Sequence, residues 1–145
     1  MSVAARLAMY YFAFFAHAGA FVSYFSLYLA GRGLTAGEIA FALAMPQLAR
    51  IVAPALWGWL ADAWGLRYAG ARRAIVIFSG FALFAGIASL YAAERAGTIA
   101  LALLAMSLLS AGAMPLIEAI TFSVLEARAG QYGPIRLWGS VGFIL

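Results

Sequence analysis

The stretch Gly58-Trp-Leu-Ala-Asp62-Ala-Trp-Gly65-Leu-Arg67 decides how the rest of this sequence is read. Before it, from about residue 36 to 61, the chain is almost wholly apolar. From Asp62 to Arg73 it is polar, and at Ala74 a new apolar run begins. Within the stretch, Gly58 leaves room for another helix to come close, Asp62 accepts hydrogen bonds at a helix end, Gly65 turns the chain, and Arg67 sets a charge beyond the turn. A helix that stops this way between two apolar runs of about twenty residues is one membrane crossing joined to the next by a short polar loop. Such a cluster can latch helices together on one side of the bilayer, and breaking it would open that side.

The same alternation extends in both directions. Upstream, an aromatic run spans about residues 7–30, and Gly31-Arg32-Gly33-Leu34-Thr35 makes a tight turn. Thr35 and Glu38 have the spacing of a capping box, which predicts the start of a helix over 36–61. Downstream, runs over 74–93 and 98–125 are separated by Glu94-Arg95-Ala96-Gly97, and a last apolar segment covers 135–145. The expected fold is an all-α membrane protein with four complete transmembrane helices and the start of a fifth. Ten helical residues rise about 15 Å, half a hydrocarbon core, so the chain reads as a fragment of a longer protein.

Composition supports the membrane reading. The 145 residues are 67% hydrophobic and 10% charged, with a mean hydropathy of +1.00, against roughly 25% charged residues in soluble domains. Having no Cys excludes a disulfide framework and thiolate sites, and one His leaves no metal-ligand or triad spacing, so neither a cofactor, a metal nor an enzyme is expected. All nine basic residues are Arg, spread along the chain with no basic stripe, which argues against a nucleic-acid partner. With a cytoplasmic N-terminus, Arg6, Arg67, Arg72, Arg73, Arg128 and Arg136 lie on inner flanks, against Arg32 and Arg95 outside. That distribution obeys the positive-inside rule.

Ionisable groups inside the apolar runs mark candidate function, because charges in a membrane face a bundle interior or a wet cavity. Arg50 and Glu118 differ by about 5 Å in expected depth and could pair if their helices are neighbours, as a structural ion pair or as part of a cavity. Pro115 frees a carbonyl one turn before Glu118, and Pro46 and Pro54 bracket Arg50, so a bend or hinge is expected beside each charge. His17 is a proton carrier, a ligand hydrogen bonder or a neutral interhelical bonder. Tyr24 and Tyr28 stand out among the aromatic residues as hydroxyls that need a partner, the remaining rings being read as lipid-facing or core packing. Ala82-x-x-x-Gly86 and Gly139-x-x-Gly142 are spacings that let helix backbones approach.

Two segments carry a resemblance. The Gly58–Arg67 stretch resembles the G-x-x-x-D-x-x-G-x-R signature between helices two and three of the major facilitator superfamily, with Ala63 and Leu66 where basic residues are common. That departure implies a weaker latch, for which Arg72 and Arg73 can compensate. Ala111-Gly-Ala-Met-Pro115-Leu-Ile-Glu118-Ala and Tyr132-Gly-Pro-Ile-Arg136-Leu-Trp-Gly-Ser-Val-Gly-Phe143 resemble the helix four and five region of the lactose permease and phenylpropionic acid permease families. Leu48-Ala-Arg50 and Leu29-Ala-Gly-Arg-Gly-Leu-Thr35 are similar to the latter group, and the resemblance covers essentially all 145 residues.

What the resemblance implies is the N-terminal part of a 6+6 helix fold, with a C-terminal half still to come. It also implies proton-coupled secondary transport by alternating access in a bacterial inner membrane. Glu118 and Arg136 match the substrate-contacting acid and Arg, and Phe143 matches a sugar-stacking Trp. Phe in place of Trp turns the expectation from a sugar toward a small organic, aromatic acid. Arg136 would then bind the carboxylate with two hydrogen bonds, and Glu118 would pair with Arg136 or take up a proton. A sugar or nucleoside symporter of the same fold and a non-transporting membrane scaffold are the alternatives.

Overall fold

A computed structural model describes residues 2–65, 70–125, 130 and 132–145. Its elements are α1 (Val3–Gly31), α2 (Ala36–Gly65), α3 (Ala71–Ala92), α4 (Ala96–Ser110), α5 (Ala113–Leu125) and α6 (Tyr132–Ile144). Four stretches are long and apolar enough to cross a membrane: Val3–Gly31, Ala36–Ala63, Ala71–Ala92 and Ala96–Leu125. The chain is an all-α, membrane-spanning protein.

The helix ends follow from their caps. Ser2 Oγ accepts from the Ala5 amide at 3.2 Å, so α1 begins before its apolar run does. At its far end the Arg32 and Gly33 amides bond back to the last carbonyls, and Gly33 takes the left-handed φ of 85° that turns the chain. The capping box forms as expected: the Thr35 amide donates to Glu38 Oε2 at 2.9 Å, and the Glu38 amide donates to Thr35 Oγ1 at 3.4 Å. α2 then runs unbroken through Pro46 and Pro54.

The fourth crossing departs from the expected single helix over 98–125. It is broken at Ala111 and Gly112, one turn before Pro115. Pro115 has no amide hydrogen to offer the Ala111 carbonyl, and its ring presses on that same carbonyl.

Two compact units result, one of residues 1–33 and 120–145 and one of residues 34–119. In the first, α6 packs along α1 with backbone against backbone. A Cβ added at Gly142 would strike the Phe12 carbonyl, and one at Gly19 would strike the Phe143 carbonyl. Gly139 makes room for the Phe15 ring, which would lie 2.8 Å from its Cβ. The Gly139-x-x-Gly142 spacing therefore does what it suggests, with Gly19 as its counterpart on α1.

In the second unit α4 is the centre, packed by both α2 and α3. Ile99 and Leu103 are fully buried, and Gly86 on α3 admits the Met106 side chain. Ala61, Ile75 and Leu116 form a small core with Trp57 and Val76 against it. The broken crossing is repaired from this side. Trp57 Nε1 donates to the Leu108 carbonyl at 2.7 Å, and Ser79 Oγ donates to the Leu109 carbonyl at 3.3 Å. Both carbonyls lie in the last turn of α4, where the helix no longer satisfies all its own acceptors. Gly112 is the residue that lets Trp57 in, since a Cβ there would lie 2.8 Å from the indole.

Candidate functional site

In the first unit, Arg136 projects from α6 onto two rings of α1. Its guanidinium carbon lies 4.5 Å from the Phe15 ring centroid and 5.1 Å from that of Tyr11. Both distances are within cation–π range, and the positive group is drawn to the negative ring faces. Tyr11 and Phe15 are four residues apart, so they stand one above the other on the same face of α1, with Gly19 continuing the line. Tyr11 is completely buried, and its hydroxyl hydrogen-bonds the equally buried Thr121 Oγ1 at 3.3 Å. Gly139, one turn after Arg136, gives space to both the Phe15 ring and an Arg136 nitrogen, which would be 3.1 Å from an added Cβ.

This arrangement fixes the Arg136 cation of α6 against the faces of two α1 rings. Rings hold the guanidinium by its π system, while its N–H edge keeps the fork geometry suited to a carboxylate. Phe143 follows Arg136 by seven residues on α6, two turns on and about 10 Å along the axis, and its side chain is half exposed.

The other sequence-derived candidates lie on α1, α2 and α5. Glu118 is half-buried on α5, one turn past Pro115. His17 is half-buried on α1 with its ring 6.0 Å from that of Phe21. Tyr24 is 68% exposed. Tyr28 accepts a hydrogen bond from Arg32 at the end of α1, at 3.3 Å. Arg50 is exposed and bonds Gln47 Oε1 of its own helix at 3.3 Å, so the Arg50–Glu118 pair is not formed. Gly58 is open: among the described residues nothing lies within 4 Å of an added Cβ there. Close approach to this part of α2 occurs at Trp57 and Gly112 instead. Asp62 is exposed, Gly65 ends α2, and Arg67 lies outside the described residues.

The aromatic residues of α1 were expected to face lipid or fill the core. Tyr11 and Phe15 do more, because they carry Arg136. One signal was available: Tyr11, Phe15 and Gly19 share an i, i+4, i+8 line, the register at which two rings and a gap meet a second helix. What the line meets is set only by the α1–α6 crossing.

The chain is thus a polytopic α-helical membrane protein in which Arg136 is held on the Tyr11 and Phe15 rings inside a helix pair. The chain matches the profile described as MFS_1 like family over residues 4–145, and it belongs to that family. It is similar to a maltose permease of Geobacillus stearothermophilus, 29% identical over 138 residues covering 94% of this chain and 34% of the relative. It is also similar to a probable 3-phenylpropionic acid transporter of Escherichia coli strain K12, 29% identical over 140 residues covering 96% of this chain and 35% of the relative. Both relatives are transporters, not enzymes. The chain spans about a third of the length of the curated relatives it matches. No solved structure matches it at a significant level.

Proposed function

We propose that this chain forms the N-terminal part of a proton-coupled secondary transporter for a small organic acid, with an aromatic acid as the preferred class. It works by alternating access with a C-terminal half beyond Leu145, in a bacterial inner membrane with its N-terminus cytoplasmic. The observation that carries this reading is Arg136 on the Tyr11 and Phe15 rings: a fixed cation beside aromatic faces suits a ligand with a carboxylate at one end and a ring at the other. Glu118 is the second polar group of the site by resemblance, either as the counter-charge of Arg136 or as the proton carrier. Phe143, His17 and Tyr24 complete the candidate substrate contacts. Asp62, Gly65 and Arg67 serve as the cytoplasmic latch.

Radiolabelled uptake by cells expressing the full-length protein tests this. Uptake of 3-phenylpropionate, its abolition by a protonophore, and its loss in Arg136→Ala with insertion unchanged are the expected results. Uptake of maltose instead would select the sugar reading, which the named activity of the Geobacillus relative favours.

A further inference from the structure

Between α1 and α6 lies a cleft of about 320 Å³, lined by Ala5, Ala8, Met9 and Phe12 of α1 and by Trp138 of α6. Trp138 follows Arg136 by two residues, about 200° round the helix, so the cleft and the Arg136 site are on different sides of the helix pair. The cleft has a small floor and large walls. Ala5 and Ala8, three residues apart, leave a gap on the surface of α1. Around it stand Met9 and the Phe12 and Trp138 rings, the two rings edge to face at 6.5 Å and 71°. Met9 and Trp138 are exposed, so the slot opens outward. Apart from the indole N–H, every side chain lining it is apolar. A slot of this form admits a single hydrocarbon chain but not a helix about 10–12 Å across.

Depth and charge say what kind of chain. The 29 residues of α1 make about 43 Å of helix against a hydrocarbon core of about 30 Å, so about one turn at each end stands among headgroups. Arg6 is exposed and follows Ala5 directly, at that boundary, while Met9 and Phe12 lie below it. The Arg6 stem is long enough to lift its guanidinium to the level of lipid phosphates. Among its described residues the first unit carries Arg6, Arg32 and Arg136 and no Asp or Glu, so an anionic head meets a cation there with no acid competing.

We propose that this cleft binds one anionic phospholipid from the leaflet at the N-terminal end of α1. An acyl chain lies on Ala5 and Ala8, between Met9, Phe12 and Trp138, and the phosphate sits on Arg6.

Photolabelling of the full-length protein in lipid vesicles tests this. The probe is phosphatidylglycerol with a diazirine in one acyl chain, present as a trace in phosphatidylcholine, and adducts are mapped by peptide mass spectrometry. Adducts are expected on Met9, Phe12 or Trp138, and unlabelled phosphatidylglycerol should displace them where added phosphatidylcholine does not. Both results are read on the unaltered protein and so do not depend on a variant folding. Arg6→Gln should cut the phosphatidylglycerol adducts about fivefold, the share of one Arg near an anionic headgroup, and leave labelling by a phosphatidylcholine probe unchanged. Ala8→Phe should plug the slot and abolish labelling there by either probe. Three results overturn the proposal: these residues carry no adduct, which marks a cleft covered by protein; both lipids label them equally, which marks an unselective lipid shell; or Arg6→Gln leaves the preference for phosphatidylglycerol intact.

Discussion

The Arg136 guanidinium carbon lies 4.5 Å from the centre of the Phe15 ring, though 121 residues separate the two in sequence. The contact depends on Gly139, because any side chain there would compete with the ring for the same space. Three residues on two helices thus set the direction of one charge.

Removing the ring should therefore weaken ligand binding without removing the charge. Phe15→Ala is expected to raise the KM for 3-phenylpropionate by about 2- to 30-fold, the equivalent of a cation–π contact of about 0.5–2 kcal/mol. Tyr11→Phe keeps the ring but loses the hydrogen bond to Thr121. It should cost about 1 kcal/mol of stability and leave KM nearly unchanged. Equal KM effects from both variants would show that the rings merely fill space.

The α1–α6 crossing tolerates no side chain at two of its glycines. Gly142→Leu or Gly19→Leu should force the helices apart and cut the yield of monodisperse protein from detergent. Gly37→Leu and Gly97→Leu, where nothing lies within 4 Å of an added Cβ, serve as controls and should purify normally. Size-exclusion profiles of the four variants decide the point.

At the break in the fourth crossing, Trp57→Phe removes the indole N–H and leaves the Leu108 carbonyl without that donor. The expected loss is about 1–3 kcal/mol, read as a lower midpoint in thermal unfolding. Pro115→Ala restores the amide missing at the break. It should slow hydrogen exchange over residues 111–115 as α4 and α5 join. Unchanged exchange there would mean that Gly112 and Trp57, rather than the proline, hold the break open.

Residues 1–145 alone, reconstituted in liposomes, should accumulate neither 3-phenylpropionate nor maltose, since the proposed cycle needs a second half to close against the first. Uptake by this piece would refute the assignment of the chain as part of a two-half carrier.

Much of the architecture was readable in advance, because the bilayer imposes length and polarity limits that a linear sequence must display. The Thr35–Glu38 cap, the turn at Gly33 and the close approach at Gly142 are local consequences of residue type, and each occurs as expected. Pro115 signalled a disturbance of the fourth crossing, but not that the helix would break at Gly112 and be capped by Trp57 from α2. Proline reports the amide lost to the Ala111 carbonyl, whereas the donor that reaches the Leu108 carbonyl at the end of α4 comes from 51 residues away. At Gly58 the sequence shows only where approach is permitted, and among the described residues nothing lies within 4 Å of an added Cβ there.

Sequence by itself determined the class of this protein, its four crossings and the family to which it belongs, since these rest on apolar length, spacing and short motifs. Tertiary structure alone decided that Tyr11 and Phe15, two among many aromatic residues of α1, are the ones under Arg136. It also decided that Arg50 turns to Gln47 rather than to Glu118. The reason is physical: a helix offers every side chain the same local geometry, and only the neighbour packed against one face makes a given ring or charge different from the rest.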